Sequence, residues 1–216
     1  MRNIKYFLIP TFLFIAVCGI FLSLHSDKIS AQLTIHNTWY TENIYQLMKF
    51  ITAWGEWQLF AVAILAYSFQ KSWWRAGEFL TASILSAVVV QVLKKLVFAP
   101  SPRPMAIIDW GETQLALGMG IDMPLQFAFP SGHTTTAFIW FSLMALHYKR
   151  PVLQVFAALC AIAVAISRVY LMMHWITDVM AGILLGVTIA VIVNTVFEYL
   201  QKKIRSYQKS GLTVPV

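Results

Sequence analysis

Long apolar runs separated by short basic segments constrain the fold of this 216-residue chain more than any other feature. A helix needs about 20 apolar residues to cross the hydrocarbon core of a bilayer. Runs close to that length recur along the chain, and hydrophobic residues make up 59% of it against 12% charged residues. These proportions are atypical of a soluble protein. The sequence therefore predicts an integral membrane protein.

The apolar runs predict about six transmembrane helices in a single all-α membrane bundle. The expected spans cover residues 6–24, 50–70, 76–98, 130–146, 151–167 and 175–197. No small-x-small cleavage pattern follows the first run, so we expect it to be retained as a span rather than cleaved as a signal peptide. Residues 25–49 are expected to be a polar connection, and the Pro-rich start of 99–129 predicts a long loop. No repeat or linker divides the chain, so residues 1–216 are expected to form one domain.

The distribution of Lys and Arg predicts the orientation of the bundle, because cytoplasmic loops carry an excess of these residues. If both termini are cytoplasmic, most of the sixteen Lys and Arg residues fall on that side. They are Arg2, Lys5, Lys71, Arg75, Lys149, Arg150, Lys202, Lys203, Arg205 and Lys209. The net charge of +7 is spread over these short clusters, which argues against a nucleic-acid-binding surface.

In this orientation, three polar clusters fall on the outer face. The last cluster, Ser167 to Asp178, contains His174 and Asp178 four residues apart. On a helix, this spacing places the carboxylate beside the imidazole, where it could orient His174 as a nucleophile. The alternative is a buried His–Asp pair that only ties two helices together.

The other two clusters supply groups that suit a phosphate. Lys94, Lys95 and Arg103 lie near the end of the third span, and Pro130-Ser131-Gly132-His133 begins the fourth. Ser131 is a typical N-cap residue, and Gly132 allows backbone amides at a helix N-terminus to approach an anion closely. With Arg168, these cations could neutralise a phosphoryl group, so we expect neither a metal nor another cofactor.

The pattern Ser167-Arg168-x5-His174-x3-Asp178, together with Pro130-Ser131-Gly132-His133, resembles the type 2 phosphatidic acid phosphatase superfamily, which includes vanadium haloperoxidases and bacterial acid phosphatases. The resemblance covers a core of about residues 94–178. It implies that His174 is a nucleophile that forms a phosphohistidine, that Asp178 is its partner, and that His133 is the general acid. The phosphate-binding residues implied by the resemblance are Lys95, Arg103, Ser131, Gly132 and Arg168.

The interval between Lys95 and Arg103 is one residue longer than is usual in the family, and the interval from Lys94 is longer still. A junction between a helix and a loop can absorb one extra residue. Lys95 is therefore the lysine that the sequence favours for phosphate binding.

The apolar spans favour a lipid phosphate as substrate, presented at the membrane surface. The resemblance then implies hydrolysis of undecaprenyl pyrophosphate as first choice, followed by phosphatidylglycerophosphate or phosphatidic acid, at the periplasmic face of a bacterial inner membrane. The loop acids Asp109, Glu112 and Asp122 are expected where a headgroup would pass.

Two other functions remain open from the sequence. The phosphoryl group could pass to lipid A or another lipid instead of water, which would make the protein a phosphotransferase. A non-enzymatic transporter would carry ionisable residues along several helices. Here they cluster at one end, and Glu56 is the exception.

Overall fold

The computed structural model describes residues 4–98, 100–108 and 125–210, and every regular element in these ranges is helical. The α-helices are, in chain order, α1 (Lys5–Ser23), α2 (Lys28–Trp39), α3 (Glu42–Thr52), α4 (Gln58–Phe69), α5 (Trp73–Val92), α6 (Pro104–Ile107), α7 (Gly132–His147), α8 (Pro151–Tyr170) and α9 (Ile176–Ser210). A 3-10 turn, Ala53–Gly55, follows α3, and a π-helical turn, Leu93–Val97, extends α5. The predicted all-α fold class is confirmed.

Within the described ranges, four helices are long and apolar enough to cross a bilayer: α1, α5 with its π-helical turn, α8 and α9. The pair α3 and α4 passes the same test with a bend of 50° between its members, which gives up to five spans. α7 has only 16 residues, roughly 24 Å at the rise of an α-helix. The protein is a multi-pass membrane bundle, while six crossings and cytoplasmic termini stay predictions.

Residues 25–49, expected to be a polar connection between spans, are helical and fold into α2 and most of α3. Asp27 begins α2 with a capping box: its carboxylate accepts hydrogen bonds from the amides of Ile29 and Ser30, both at 2.8 Å. Ser30 Oγ in turn accepts one from the Asp27 amide. Gln32 and His36 then bury their side chains against the bundle. The polar composition of this segment does not indicate a helix, but the capping box satisfies the first amides of α2.

The second expected span is a broken element rather than one helix over residues 50–70. α3 ends at Thr52, and α4 begins only at Gln58 after the 3-10 turn. Gly55 lies at the break, where a Cβ atom would come within 2.8 Å of the His133 carbonyl oxygen and of Val164 Cγ1. The break therefore packs directly against the start of α7.

α7 occupies the centre of the bundle, between α5, α8 and α9. Its side chains Phe138, Ile139 and Leu143 are completely buried. Two glycines of α9 allow its backbone to approach α7, since a Cβ on Gly182 would lie 2.8 Å from the Ser131 carbonyl oxygen, and one on Gly186 would lie 2.7 Å from Phe138 Cβ. This close packing fixes the Ser131 turn against the first turns of α9.

Candidate active site

The turn between α8 and α9 brings His174 back to the end of α8. Met172 has a left-handed backbone with φ 57°, and the amides of Met173 and His174 both donate to the Arg168 carbonyl oxygen, at 3.1 and 3.2 Å. The chain thus folds over the last turn of α8. As a result, the backbone of His174 is tied directly to that of Arg168.

Asp178 lies in the first turn of α9, as its spacing from His174 predicts. Its Oδ2 accepts a hydrogen bond of 2.9 Å from the Trp175 amide and lies 3.5 Å from His174 Nδ1. The imidazole is only 1% exposed. The amide contact holds the carboxylate beside Nδ1, which leaves Nε2 as the ring nitrogen directed away from Asp178.

The Ser131 turn is joined to the same place by backbone contact. The Ser131 amide donates to the Asp178 carbonyl oxygen at 3.0 Å, and Ser131 Oγ shares a hydrogen bond of 2.9 Å with Thr134 Oγ1. α7 begins at Gly132, so its N-terminal amides point toward this end of the bundle. Two clusters separated by more than thirty residues in the chain therefore form one unit.

Arg168 is a buried cation with incomplete hydrogen bonding. Its side chain is in the last turn of α8, where the residue is 4% exposed. Nη1 donates to Thr52 Oγ1 at 2.8 Å, while Nε has no partner within the described part of the chain. A buried guanidinium is stabilised by an anion that completes its hydrogen bonds.

Arg103 approaches from the loop before α6 and is 8% exposed. Its Nε donates to the Gln126 carbonyl oxygen at 3.3 Å, and Nη1 lies 3.6 Å from Met173 Sδ. The backbone of this loop is fixed in turn, because Trp175 Nε1 donates to the Pro102 carbonyl oxygen at 2.9 Å. Arg103 is therefore held beside the turn that carries His174.

The structure brings Lys94 rather than Lys95 to this cluster, which differs from the choice made on sequence. Lys94 Nζ donates to the Phe127 carbonyl oxygen at 2.8 Å, whereas Lys95 is exposed. The Phe98 amide bonds to the Leu93 carbonyl oxygen, five residues back. A π-helical turn accommodates one more residue than an α-helical turn, which explains why the longer interval from Lys94 to Arg103 still closes.

These cations act together on His174. Burial, followed by the positive charges of Arg168, Arg103 and Lys94, lowers the pKa of His174 well below its ordinary value of 6.5. Burial also lowers the pKa of Arg103, and the charge of Asp178 opposes that shift. A lowered pKa favours the neutral imidazole, and a proton on Nδ1, beside Asp178, would leave an electron pair on Nε2.

His133 and Gly132 complete the set of predicted site residues. His133 is partly exposed and lies within electrostatic range of His174 and Arg168. Both His133 and Gly132 line a cavity of about 380 Å³ beside the helix break after α3. Of the predicted residues, the structure thus gathers all but Lys95.

A second, apolar groove of about 530 Å³ lies between α1, α2, α3 and the end of α8. Its walls include Phe14, Cys18, Ile35, Met48, Tyr170 and Ile176.

Sequence reasoning missed Thr52, which bonds Arg168 across the bundle, and no local signal identifies it. Asp109, Glu112 and Asp122 lie outside the described residues. In the described ranges, no three His, Cys, Asp or Glu side chains are grouped so that they could hold a metal ion.

The fold and site define a helical membrane protein with a buried histidine surrounded by cations at one end of its bundle. The sequence profile of the PAP2 superfamily matches residues 75–202, and the chain belongs to this superfamily. The match contains the predicted site residues between Lys94 and Asp178, while Thr52 lies before it.

Several characterised relatives act on lipid phosphates, as their names state. The chain is 26% identical over 162 residues to lipid A 4'-phosphatase of Porphyromonas gingivalis, covering 71% of this chain and 66% of the relative. It is 30% identical over 132 residues to lipid A 1-phosphatase of Rhizobium johnstonii, covering 61% of this chain and 51% of the relative. The chain thus spans between half and two thirds of the length of these relatives.

Two crystal structures share the fold. Aquifex aeolicus LpxE superimposes with a TM-score of 0.61 at 23% identity, covering 76% of this chain and 92% of that one. The PAP2-type phosphatidylglycerolphosphate phosphatase of Bacillus subtilis gives a TM-score of 0.58 at 21% identity, covering 89% of this chain and 96% of that one.

Proposed function

We propose that this protein is a membrane lipid phosphatase that hydrolyses a phosphate ester or pyrophosphate of a lipid through a phosphohistidine on His174. One observation carries the proposal: a buried imidazole, with a carboxylate 3.5 Å from its Nδ1, lies among three cationic side chains. A His–Asp pair that only tied two helices together would not require three cations nearby. Those cations repel one another unless an anion lies between them.

The phosphate would be held by Lys94, Arg103 and Arg168, with the amides at the start of α7 as further donors. Nε2 of His174 attacks phosphorus, and the bond from phosphorus to the leaving oxygen breaks. His133 gives that oxygen its proton. His133 then takes a proton from water as the water attacks the phosphohistidine, which releases phosphate and restores both histidines.

Asp178 keeps the attacking ring in position and stabilises the positive charge that the imidazole acquires as it binds phosphorus. The three cations and the helix amides neutralise the charge on the phosphoryl oxygens, the role that a metal ion serves in other phosphoryl transfer sites. The proposed reaction is therefore metal-independent.

A lipid is the proposed substrate because the relatives named above act on lipid phosphates and because the chain is a multi-pass membrane bundle. The sequence places undecaprenyl pyrophosphate first. Phosphatidylglycerophosphate, phosphatidic acid and lipid A are the alternatives. The proposed location is a bacterial inner membrane with the site on its periplasmic side.

Purified protein assayed in detergent with these lipid phosphates tests the proposal. His174→Ala is expected to lower the rate of phosphate release by about 10⁴-fold, because it removes the nucleophile. His25→Ala is the matched control, since His25 is partly exposed in the turn before α2, and it is expected to keep wild-type activity. The wild-type rate should persist with a chelator present.

Retention of activity in His174→Ala would refute the mechanism, and loss of wild-type activity with the chelator would refute its metal independence. Mass spectrometry of the lipid products separates hydrolysis from transfer. Free phosphate is expected, whereas phosphate attached to a second lipid would identify a phosphotransferase.

A further inference from the structure

The cavity of about 380 Å³ beside His133 is bounded by the helix break after α3, by α5 and by the start of α7. Trp57 and Phe60 form an apolar part of its wall, and the polar part comprises Glu56, Ser83, Ser86, Gln91, His133 and Thr136. Polar side chains inside a membrane bundle are stabilised by polar partners. The cavity therefore suits a ligand that carries hydrogen-bonding groups as well as apolar surface.

The chemistry of the proposed reaction determines what enters this cavity. In phosphoryl transfer, the attacking and leaving atoms lie roughly in line on opposite sides of phosphorus. His174 Nε2 forms the new bond, and the leaving oxygen takes its proton from His133 as the old bond breaks. The group attached to that oxygen must lie next to His133, and the cavity borders this residue.

Glu56 places a carboxylate in that space. It follows the 3-10 turn at the break, one residue after Gly55, which packs against His133. Its charge acts on the buried Arg168. A carboxylate accepts hydrogen bonds from hydroxyl groups and repels another anion.

We infer that the cavity is a leaving-group subsite in which Glu56 favours an uncharged, hydroxyl-bearing leaving group, such as a sugar or glycerol, over the anionic phosphate that a lipid pyrophosphate would leave. The inference rests on the proposed function. It reverses the order of substrates that the sequence favours, because undecaprenyl pyrophosphate would place its second phosphate beside Glu56. Lys94 and Arg103 do not line this cavity, so the second phosphate would have the Glu56 carboxylate, and neither of these two cations, along the cavity wall.

The test compares kcat/KM for lipid A that carries a single phosphate, whose leaving group is an uncharged sugar, with kcat/KM for undecaprenyl pyrophosphate in the same detergent. Wild type is expected to prefer lipid A. Glu56→Gln keeps the size of the side chain and removes its charge, and it is expected to lower the preference ratio by about tenfold, equivalent to about 1.4 kcal/mol. The change should come mainly from faster hydrolysis of the pyrophosphate.

Glu42→Gln is the matched control, because Glu42 begins α3 and does not line the cavity. It removes the same charge from the same broken element and is expected to keep the wild-type ratio. A similar fall in the ratio of this control would assign the effect to general surface charge and overturn the inference.

Three other results would also overturn it: a wild-type preference for the pyrophosphate, an unchanged ratio in Glu56→Gln, or an equal loss of rate on both substrates. The last result would show that Glu56 only supports Arg168. Activity in His174→Ala is a separate outcome, because it refutes the proposed mechanism and says nothing of the cavity.

Discussion

Arg168 is the side chain of the site whose burial and hydrogen bonding are least balanced. It is buried, it repels Arg103 and Lys94, and its Nε lacks a hydrogen-bond partner among the described residues. Burial of such a group destabilises the unliganded protein. A phosphate bound between the three cations would offset that cost, so the same arrangement that weakens the fold strengthens binding.

The lysine of the cluster gives a direct test at this scale. Lys94→Ala is expected to lower kcat/KM by about 100-fold, as loss of one donor to a developing oxyanion does in other enzymes. Lys95→Ala is the matched control next to it, and it should stay within about twofold of wild type because Lys95 is exposed.

The measurement is phosphate release by both variants, with thermal unfolding recorded to show that each is folded. A larger loss in Lys95→Ala than in Lys94→Ala would contradict the structural assignment. It would support the lysine that the sequence favours.

The residue types of the site are largely predictable from the sequence. His174, Asp178 and Arg168 are spaced in the sequence so that a helix and a turn bring them close together. The choice between Lys94 and Lys95 is not predictable in this way, because it depends on a π-helical turn whose hydrogen bond joins Leu93 and Phe98. Lys95 is favoured by its interval to Arg103, whereas Lys94 is the lysine that bonds the Phe127 carbonyl oxygen.

At the scale of elements, the packing of α7 against α9 holds Ser131 next to Asp178. The Ser131 amide bonds to the carbonyl oxygen of Asp178, which is possible only because Gly182 and Gly186 let the two backbones approach. The hydrophobic pattern predicts both helices but not this approach, since either glycine could equally face lipid.

Gly186→Ala is expected to destabilise the protein, because its Cβ would lie 2.7 Å from Phe138 Cβ and from the Thr135 carbonyl oxygen. Overpacking of this kind costs about 1–3 kcal/mol. Gly19→Ala in α1 is the control, since no atom lies within 4 Å of a Cβ there. Thermal unfolding in detergent should show a lower Tm for Gly186→Ala only, and an equal Tm for both variants would contradict the packing.

The break between α3 and α4 shows why the length of an apolar run does not by itself predict a single helix. Residues 50–70 are apolar enough to suggest one span, yet Gly55 fits against His133 only if the chain bends there. Helix α2 was missed for the opposite reason, because its polar face concealed the burial of Gln32 and His36. In both cases, tertiary contacts determine the local structure, and local composition does not reveal these contacts.

At the scale of the whole molecule, all the site segments lie at one end of the bundle. Hydrogen bonds join the turn after α8 to the loop before α6 and to the start of α7. The opposite end carries Lys71, Arg75 and Arg205 around a cavity of about 440 Å³. Because basic residues mark the cytoplasmic side of a membrane protein, the site end is predicted to face outward.

Labelling of single cysteines in intact cells tests this orientation. Cys18 and Cys160 lie in α1 and α8, so Ala at both gives a background without reactive thiols. Ser26→Cys, in the turn after α1, lies at the predicted outer end, and Ser72→Cys, before α5, at the predicted inner end.

A thiol reagent that cannot cross membranes should label Ser26→Cys in intact cells and Ser72→Cys only after permeabilisation. Both variants must keep phosphatase activity, which shows that the labelled molecules are folded. The reverse pattern would place the termini outside and the site on the cytoplasmic face. The substrate would then have to be a lipid phosphate of the inner leaflet, so the orientation also decides which lipids can reach His174.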